Sequence, residues 1–279
     1  MSTSTSDWGD WLPRAVADAT PDTVAVWYLG CNGFFLKGSE GTTLAIDPYV
    51  GLGDPPRTVR MVPVPFDPDD VEEMDAILAT HEHIDHVHGP SQAPILANTG
   101  ATLYGPDDAV AVARDDEAWT DEWDVSAEQL SEVAEGDTFE VGEFTISVEP
   151  SYDPDSTHPV TYVIEHASGT FFHGGDTKPA DEFAEIGDRY DIDLGVLAFG
   201  AEGNIPDKET GEPVHTKWYS DENELVRAAK DLRLTRCLPS HWDMWKGMTA
   251  DPTVLHHHAA SFAYPENLEI VEIGDRVDL

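Results

Sequence analysis

The chain has 279 residues, of which 55 are acidic and 15 are basic, so its formal charge at pH 7 is −40. This balance disfavours nucleic acid and anionic membranes as partners, because both bind through Lys and Arg. Apolar residues make up 40% of the sequence, with 8 Trp, 8 Tyr and 10 Phe, which supplies a packed core and argues against intrinsic disorder.

Short β-rich runs alternate with turns and with a few helical patterns along the chain. The predicted strands lie at 24–29, 34–36, 42–46, 74–80, 144–148, 161–164, 170–173 and 195–199. The predicted helices lie at 107–114, 180–186, 221–232 and 252–262. Strands that follow one another without a helix, with helices interspersed, indicate two β-sheets with helices packed outside, which is a layered α/β sandwich.

No repeat, low-complexity tract or long linker divides the sequence, so residues 1–279 are predicted to form a single domain in which 1–22 is an N-terminal arm. No apolar run is long enough for a membrane span, and the first residues lack the pattern of a signal peptide. We therefore expect a cytoplasmic location. Cys31 and Cys237 are interpreted as small buried residues, with a disulfide or a reactive thiol as the alternative.

The acidic residues are spread along almost the whole chain and do not gather in one tail. This distribution resembles that of proteins from salt-loving archaea, in which multimolar salt screens the repulsion between like charges. We therefore expect a halophilic protein whose fold loosens at low salt.

The strongest motif is Thr80-His81-Glu82-His83-Ile84-Asp85-His86, directly after an apolar strand. On an extended segment, residues two apart share a face, so His81 and His83 can bind one ion while Asp85 and His86 turn toward a second. Imidazole and carboxylate ligands suit Zn, Mn or Fe. The alternative, a solvated polar loop, leaves this clustering unexplained.

This run resembles the signature of the metallo-β-lactamase superfamily. The resemblance implies a four-layer αβ/βα sandwich, a site for one or two divalent ions (Zn or Mn) and further ligands from three later loops. It extends the set of metal ligands to His81, His83, Asp85, His86, His158, Asp176 and His241.

Other segments are similar to the branch of this superfamily formed by the L-ascorbate-6-phosphate lactonases: 11–14, 28–33, 77–81, 241–245 and 250–252. The implied activity is metal-dependent hydrolysis of a small sugar-acid lactone, either an aldonolactone or a lactone of the ascorbate-6-phosphate type. A bound metal ion makes hydroxide available near neutral pH for attack on the lactone carbonyl. Asp85 is the predicted catalytic residue, which orients the nucleophile or moves the proton.

Loop residues after the strand at 195–199 are the candidates for contact with the substrate. They are Glu202, Asn204, Lys208, His215 and Lys217. Ordinary turn chemistry is the alternative for these positions. Basic residues are scarce, so an uncharged sugar lactone suits the composition as well as a phosphorylated one.

Two other functions remain open. The same kind of site hydrolyses thioesters in glyoxalase-type relatives, and a non-catalytic metal-binding domain would also need metal ligands. The apparent completeness of the ligand set favours the enzyme. The resemblance is also compatible with a homo-oligomer.

Overall fold

The computed structural model describes residues 5–200 and 202–279. The strands are β1 (Ala25–Gly30), β2 (Gly33–Lys37), β3 (Thr43–Ile46), β4 (Ala76–Leu78), β5 (Thr102–Gly105), β6 (Leu130–Glu132), β7 (Thr138–Val141), β8 (Phe144–Pro150), β9 (Val160–His166), β10 (Gly169–His173), β11 (Leu194–Ala198), β12 (Glu202–Pro206), β13 (Pro213–Lys217), β14 (Arg236–Ser240), β15 (Asn267–Leu268) and β16 (Arg276–Asp278). The helices are α1 (Trp11–Ala17), α2 (Gly89–Thr99), α3 (Asp107–Asp115), α4 (Phe183–Arg189), α5 (Glu222–Asp231) and α6 (Leu255–Ala259). Shorter helical turns cover Pro68–Asp70, Ala118–Glu122, Ala127–Gln129 and Pro252–Val254.

Two large sheets carry the architecture. The first has the strand order β16-β1-β2-β3-β4-β5-β6, antiparallel from β16 to β3 and parallel from β3 to β6. The second has the order β15-β14-β11-β10-β9-β8-β7, antiparallel from β7 to β10 and parallel from β10 to β15. A separate hairpin pairs β12 with β13.

The side chains of each sheet alternate between two apolar layers. On β1, Val26 and Tyr28 point into the core between the two sheets, whereas Trp27 and Leu29 pack under the helices of the first sheet. On the other side, Phe172 and Leu197 of the second sheet pack against helices α4 and α5. The order of layers is helix, sheet, sheet, helix, which confirms the predicted αβ/βα sandwich.

The N-terminal arm contains a helix that the sequence analysis did not predict. Leu12 and Val16 of α1 are buried in the outer core of the first sheet. The ammonium group of the buried Lys37 donates hydrogen bonds to the carbonyls of Val16 (3.0 Å) and Ala17 (2.7 Å), which satisfies the end of the helix. Residues 1–4 of the predicted arm lie outside the described residues. The single-domain organisation stays a prediction.

Helix α2 was also missed, because its sequence contains two prolines. Pro90 lies in the first turn, where no amide hydrogen bond is lost, but Pro94 lies inside the helix and removes one. Burial of Ala93, Ile95 and Leu96 offsets this cost. Across 5–200 and 202–279, no helix combines the length and the apolar character needed to cross a bilayer.

Glu143, in the turn between β7 and β8, links the two sheets. Its carboxylate accepts hydrogen bonds from the amides of Glu40 (2.9 Å) and Thr42 (3.3 Å), in the β2–β3 turn, and lies 2.9 Å from Nε2 of His166. Although burial raises the pKa of Glu143, these hydrogen bonds outweigh burial and hold the pKa below its ordinary value. The ionised carboxylate therefore stabilises the folded state.

Replacing Glu143 by glutamine should lower the free energy of unfolding at pH 7 by about 1–3 kcal/mol, because hydrogen bonds to a charged acceptor are lost. A pKa that is depressed on folding contributes stability above the unfolded-state pKa, about 4.3, and loses it as the pH falls through the folded-state value. The difference between wild type and variant should therefore shrink below about pH 4. Urea unfolding across this pH range, in multimolar KCl, measures it; a difference that does not change with pH would contradict the argument.

Candidate metal centre

The candidate site lies at one edge of the sandwich, where loops from both sheets meet. Strands β1, β3 and β4 of the first sheet run in the same direction, as do β8, β10 and β14 of the second. The loops that follow these strands carry the donor side chains Cys31, Asp47, His81, His83, Asp85, His86, Asp153, Asp176 and His241.

Three donor groups form the candidate site, and the most exposed of these three, here called the outer group, contains His81, His83 and Asp153. Nε2 of His81 lies 2.9 Å from Nδ1 of His83, and Oδ2 of Asp153 lies 3.7 Å from each of these nitrogens. His83 and Asp153 are partly buried and His81 is fully buried. Two nitrogens and one oxygen therefore face a common point.

The central group contains His81, His86 and Asp176, all buried. Oδ2 of Asp176 lies 3.3 Å from Nε2 of His86 and 3.9 Å from Nε2 of His81. Behind His86, Oδ2 of Asp47 lies 2.8 Å from Nδ1. A carboxylate on the far nitrogen fixes the ring so that Nε2 faces the centre, as carboxylates behind metal-bound imidazoles do.

The inner group contains Cys31, Asp85 and His241. Nε2 of His241 lies 3.2 Å from Oδ2 of Asp85 and 3.1 Å from Sγ of Cys31. The hydroxyl of Tyr219 lies 2.7 Å from the same nitrogen, and the two rings stack with centroids 4.1 Å apart. Oδ1 of Asp176 lies 3.8 Å from Nε2 of His241, so the Asp176 carboxylate extends from the central group to the inner group.

The donor set fits a divalent cation. Within residues 5–200 and 202–279, the buried atoms Nε2 of His86 and Oδ2 of Asp153 have no hydrogen-bond partner. Buried polar atoms in proteins are paired or coordinate metals, because an unpaired buried atom costs free energy. Imidazole nitrogens and carboxylate oxygens are the ligands that Zn, Mn and Fe accept.

The pKa shifts of the donor side chains also indicate a site for a cation. Burial, and then the neighbouring His86, lowers the pKa of His81 well below its ordinary value. His86 shows the opposite shift: burial opposes its charge, but Asp176 and Asp47 raise its pKa well above the ordinary value. Burial and the Asp176 carboxylate together raise the pKa of Asp153 to about 6. The carboxylates of Asp47, Asp153 and Asp176 therefore surround these imidazoles with negative charge, which a bound cation would balance.

A hydrogen-bonded frame holds the donors in place. The side-chain amide of Asn32 donates to Oδ1 of Asp176 (3.1 Å) and its carbonyl oxygen accepts from Ser240 (2.6 Å). The hydroxyl of Thr80 donates to Asp47 (2.7 Å). Gly175 has φ +57°, and a Cβ there would lie 2.8 Å from Oγ1 of Thr80. Glycine at this position therefore lets the Asp176 loop approach the histidine loop.

The structure brings together most of the ligands expected from the sequence: His81, His83, Asp85, His86, Asp176 and His241. It does not bring His158 to them. The His158 side chain is 61% exposed, and its Nδ1 lies 2.9 Å from Oδ1 of Asp107 and 2.7 Å from Oδ2 of Asp108. Asp153, five residues earlier in the same β8–β9 loop, lies beside His81 and His83 in the outer group.

The predicted substrate residues lie around the β12–β13 hairpin. Glu202, Asn204 and His215 are exposed, and Glu202 lies 3.1 Å from Nε2 of His215. They share a face of the hairpin opposite to Ile205, which packs with Tyr219 beside the inner group.

The two predicted lysines are placed differently from one another. Lys208 is exposed, in the turn between the strands of the hairpin. Lys217 is paired with Asp221 (2.8 Å) and Glu224 (2.7 Å) at the start of α5. Neither Glu202 nor His215 belongs to a donor group among the described residues.

Sequence reasoning missed two carboxylates of the site, Asp47 and Asp153. Asp47 directly follows the buried strand β3, and Asp153 comes three residues after β8. The usable signal is their position, because the carboxyl ends of co-directional strands meet at the same edge of a sheet. Residue type alone was uninformative in a chain with 55 acidic residues.

Comparison with protein families gives a match to the model described as "Beta-lactamase superfamily domain" over residues 42–242, which spans the histidine loop, Asp153, Asp176 and His241. Among curated proteins, the probable L-ascorbate-6-phosphate lactonase UlaG of Salmonella gallinarum is 26% identical over 291 residues. That alignment covers 88% of this chain and 77% of the relative. UlaG of Salmonella newport is 25% identical with the same coverage.

Solved structures share the fold at low sequence identity. Igni18, a metallo hydrolase from the archaeon Ignicoccus hospitalis, superposes with a TM-score of 0.68 at 20% identity, covering 92% of this chain and 98% of that chain. An isothiocyanate hydrolase from Delia radicum gut bacteria gives a TM-score of 0.66 at 17% identity, covering 91% and 99%. At these identities the likeness shows the fold.

Proposed function

The chain belongs to the β-lactamase superfamily of metallo-hydrolases, and from this premise we propose that it opens the ring ester of a small sugar-acid lactone. The observation that carries the proposal is the convergence of the outer, central and inner donor groups, with Asp176 reaching across them. The curated relatives named as lactonases supply the substrate class.

We propose two ion positions. The proposed ligands divide between the two positions: His81, His83 and Asp153 would hold the outer ion, and Asp85, His86 and His241 the inner one, with Asp176 between them. Bound there, a divalent ion supplies Lewis-acid activation of water and of the ester carbonyl.

The remaining steps fall to side chains around the inner group. We assign Asp85 as the proton acceptor for the attacking water, since its carboxylate lies within 3.2 Å of Nε2 of His241 at the centre. The Tyr219 hydroxyl, 2.7 Å from the same nitrogen, is placed to donate a hydrogen bond to the oxygen that gains charge as the carbonyl is attacked. Both groups are held rigidly, because Asp85 has little exposure and Tyr219 is buried.

Charge in the predicted substrate loop favours an uncharged lactone. A phosphate group needs free Arg or Lys side chains or a helix N-terminus for binding. Of the two lysines among the predicted contact residues, Lys217 is already engaged with two carboxylates at the start of α5, which leaves Lys208 in the hairpin turn. We therefore propose a plain pentono- or hexonolactone as the preferred substrate, with the phosphorylated type as the competitor to be tested.

The deciding assay is ring opening by the purified chain in multimolar KCl, the condition that the acidic composition calls for. The panel contains plain and phosphorylated sugar lactones, a thioester and a buffer control, each with and without chelator. We expect hydrolysis of a plain sugar lactone that chelator abolishes and added Zn or Mn restores. Turnover of the thioester alone would replace the lactonase proposal by a glyoxalase-type one, and bound metal without any turnover would favour a binding role.

A further inference from the structure

We propose that Cys31 is a thiolate ligand of the ion at the inner position, alongside Asp85 and His241. Neither the superfamily match nor the sequence analysis assigns this residue to the metal, and the sequence analysis interprets it as a small buried residue. The inference rests on the proposed metal centre and goes beyond it by giving the two positions different ligand chemistry.

Polar atoms crowd around one ring nitrogen, Nε2 of His241. Nε2 of His241 has Sγ of Cys31 at 3.1 Å, Oη of Tyr219 at 2.7 Å and Oδ2 of Asp85 at 3.2 Å. Sγ of Cys31 also lies 3.6 Å from Oδ2 of Asp85. A ring nitrogen either donates or accepts a single hydrogen bond, so it cannot satisfy three partners. A cation bound between sulfur, oxygen and nitrogen satisfies them together.

Cys31 has an unusual backbone conformation. The β1–β2 turn holds it at φ +57°, a left-handed conformation that is strained for a residue other than glycine. Its carbonyl accepts hydrogen bonds from the amide of His241 (2.9 Å) and the hydroxyl of Tyr28 (3.0 Å). His241 is itself at φ +64°. Two strained residues bonded to each other direct a sulfur and an imidazole at the same point.

The Cys31 thiol has polar as well as apolar neighbours: it packs with Tyr49 and Met244 and also contacts Asp85 and His241. Cys31 is fully buried and is not in a disulfide, and the only other cysteine, Cys237, lies on β14 within the outer core of the second sheet. A glycine would relieve the strain of the turn. Sγ of Cys31 faces Oδ2 of Asp85 and Nε2 of His241, as we expect of a metal ligand.

The consequence is a difference in metal preference between the two positions. The outer group offers two imidazoles and a carboxylate, whereas the inner group adds a soft sulfur. Thiolates favour Zn, Co and Fe over Mn, which prefers oxygen ligands. Binding releases the thiol proton to solvent. We therefore expect the inner position to reject Mn and the outer position to accept either kind of ion.

Cobalt reports on the sulfur directly. The full chain, loaded with Co²⁺ in multimolar KCl, should show a thiolate-to-cobalt charge-transfer absorption in the near ultraviolet. The absorption should persist in Cys237→Ala, the matched control, and disappear in Cys31→Ser. Since even partners outside the ligand shell change metal affinity by about 10–100-fold, loss of Cys31 should lower the inner-position affinity by at least about 10-fold.

X-ray absorption at the cobalt edge of the wild-type protein tests the same point without a variant, in case Cys31→Ser does not fold. A fully loaded protein with no sulfur neighbour, or an absorption that survives in Cys31→Ser, would overturn the proposal. The lactone assay is read separately. Chelator-sensitive hydrolysis without a cobalt–sulfur signal would refute the role of Cys31 and leave the lactonase proposal standing. A cobalt–sulfur signal without hydrolysis would support the role of Cys31 and refute the lactonase proposal.

Discussion

Replacing Asp176 by asparagine should reduce kcat for lactone opening by about 1,000-fold or more, because the proposed metal centre would lose the charged carboxylate that reaches from the central group to the inner group. The Asp176 carboxylate lies 3.3 Å from Nε2 of His86 and 3.8 Å from Nε2 of His241. Burial raises its pKa, but the His86 and His241 imidazoles outweigh burial and hold the pKa below its ordinary value, which keeps the carboxylate charged. Asparagine keeps the shape and can still accept the hydrogen bond from Asn32.

Initial rates and bound metal, measured after desalting, give the two readouts. Far-ultraviolet circular dichroism should show an unchanged fold. Asp181→Asn is the matched control, since the Asp181 side chain is 97% exposed, and it should behave as wild type. If Asp176→Asn kept wild-type turnover and wild-type metal content, the proposed centre would be misplaced.

The second large effect separates two residues of the β8–β9 loop. Asp153→Ala should lower kcat by at least about 100-fold and reduce bound metal, because the outer group loses its only carboxylate. His158→Ala should change neither quantity by more than about twofold, because an exposed ion pair contributes little.

Metal content and rate, measured on both variants in the same buffer, decide between the two ligands. The reverse pattern, in which His158→Ala loses metal and Asp153→Ala retains it, would restore the ligand set predicted from the sequence alone. Asp155→Ala provides a third comparison in the same loop, because its carbonyl rather than its side chain lies near Nε2 of His83 (3.2 Å).

Much of the fold could be predicted from the sequence where side-chain pattern and burial agree. The run at 24–29 alternates between two apolar layers, so its strand was visible, and the start of α5 was visible from Asp221, whose side chain accepts from the amides of Asn223 and Glu224. Helix α2 was not visible, because its stability comes from packing against the sheet and its own prolines oppose it.

The candidate site was likewise predictable where a local sequence pattern marks it and not where it depends on long-range contacts. Histidines 81, 83 and 86 stand out because three of the 12 histidines of the chain fall within six residues, and their placement after a buried strand marks the edge of a sheet. The proposed use of Asp153 rather than His158 depends on the path of the nine-residue connection between β8 and β9, which carries several polar residues. The amide of Thr157 donates to Glu82 at 3.0 Å, and His158 itself pairs with α3, so the loop turns its later residues away from the centre. No local pattern encodes these long-range contacts.

The donor atoms come from both halves of the sandwich: the histidine loop belongs to the first sheet, whereas Asp153, Asp176 and His241 follow strands of the second. An ion at this edge is consequently a cross-link between two layers, in addition to an aid to chemistry. By mass action, free metal at a hundredfold excess over its Kd adds about 2.7 kcal/mol to the stability of the folded state. Folding and metal loading are thus one linked equilibrium, and metal scarcity would shorten the lifetime of the protein as well as its turnover.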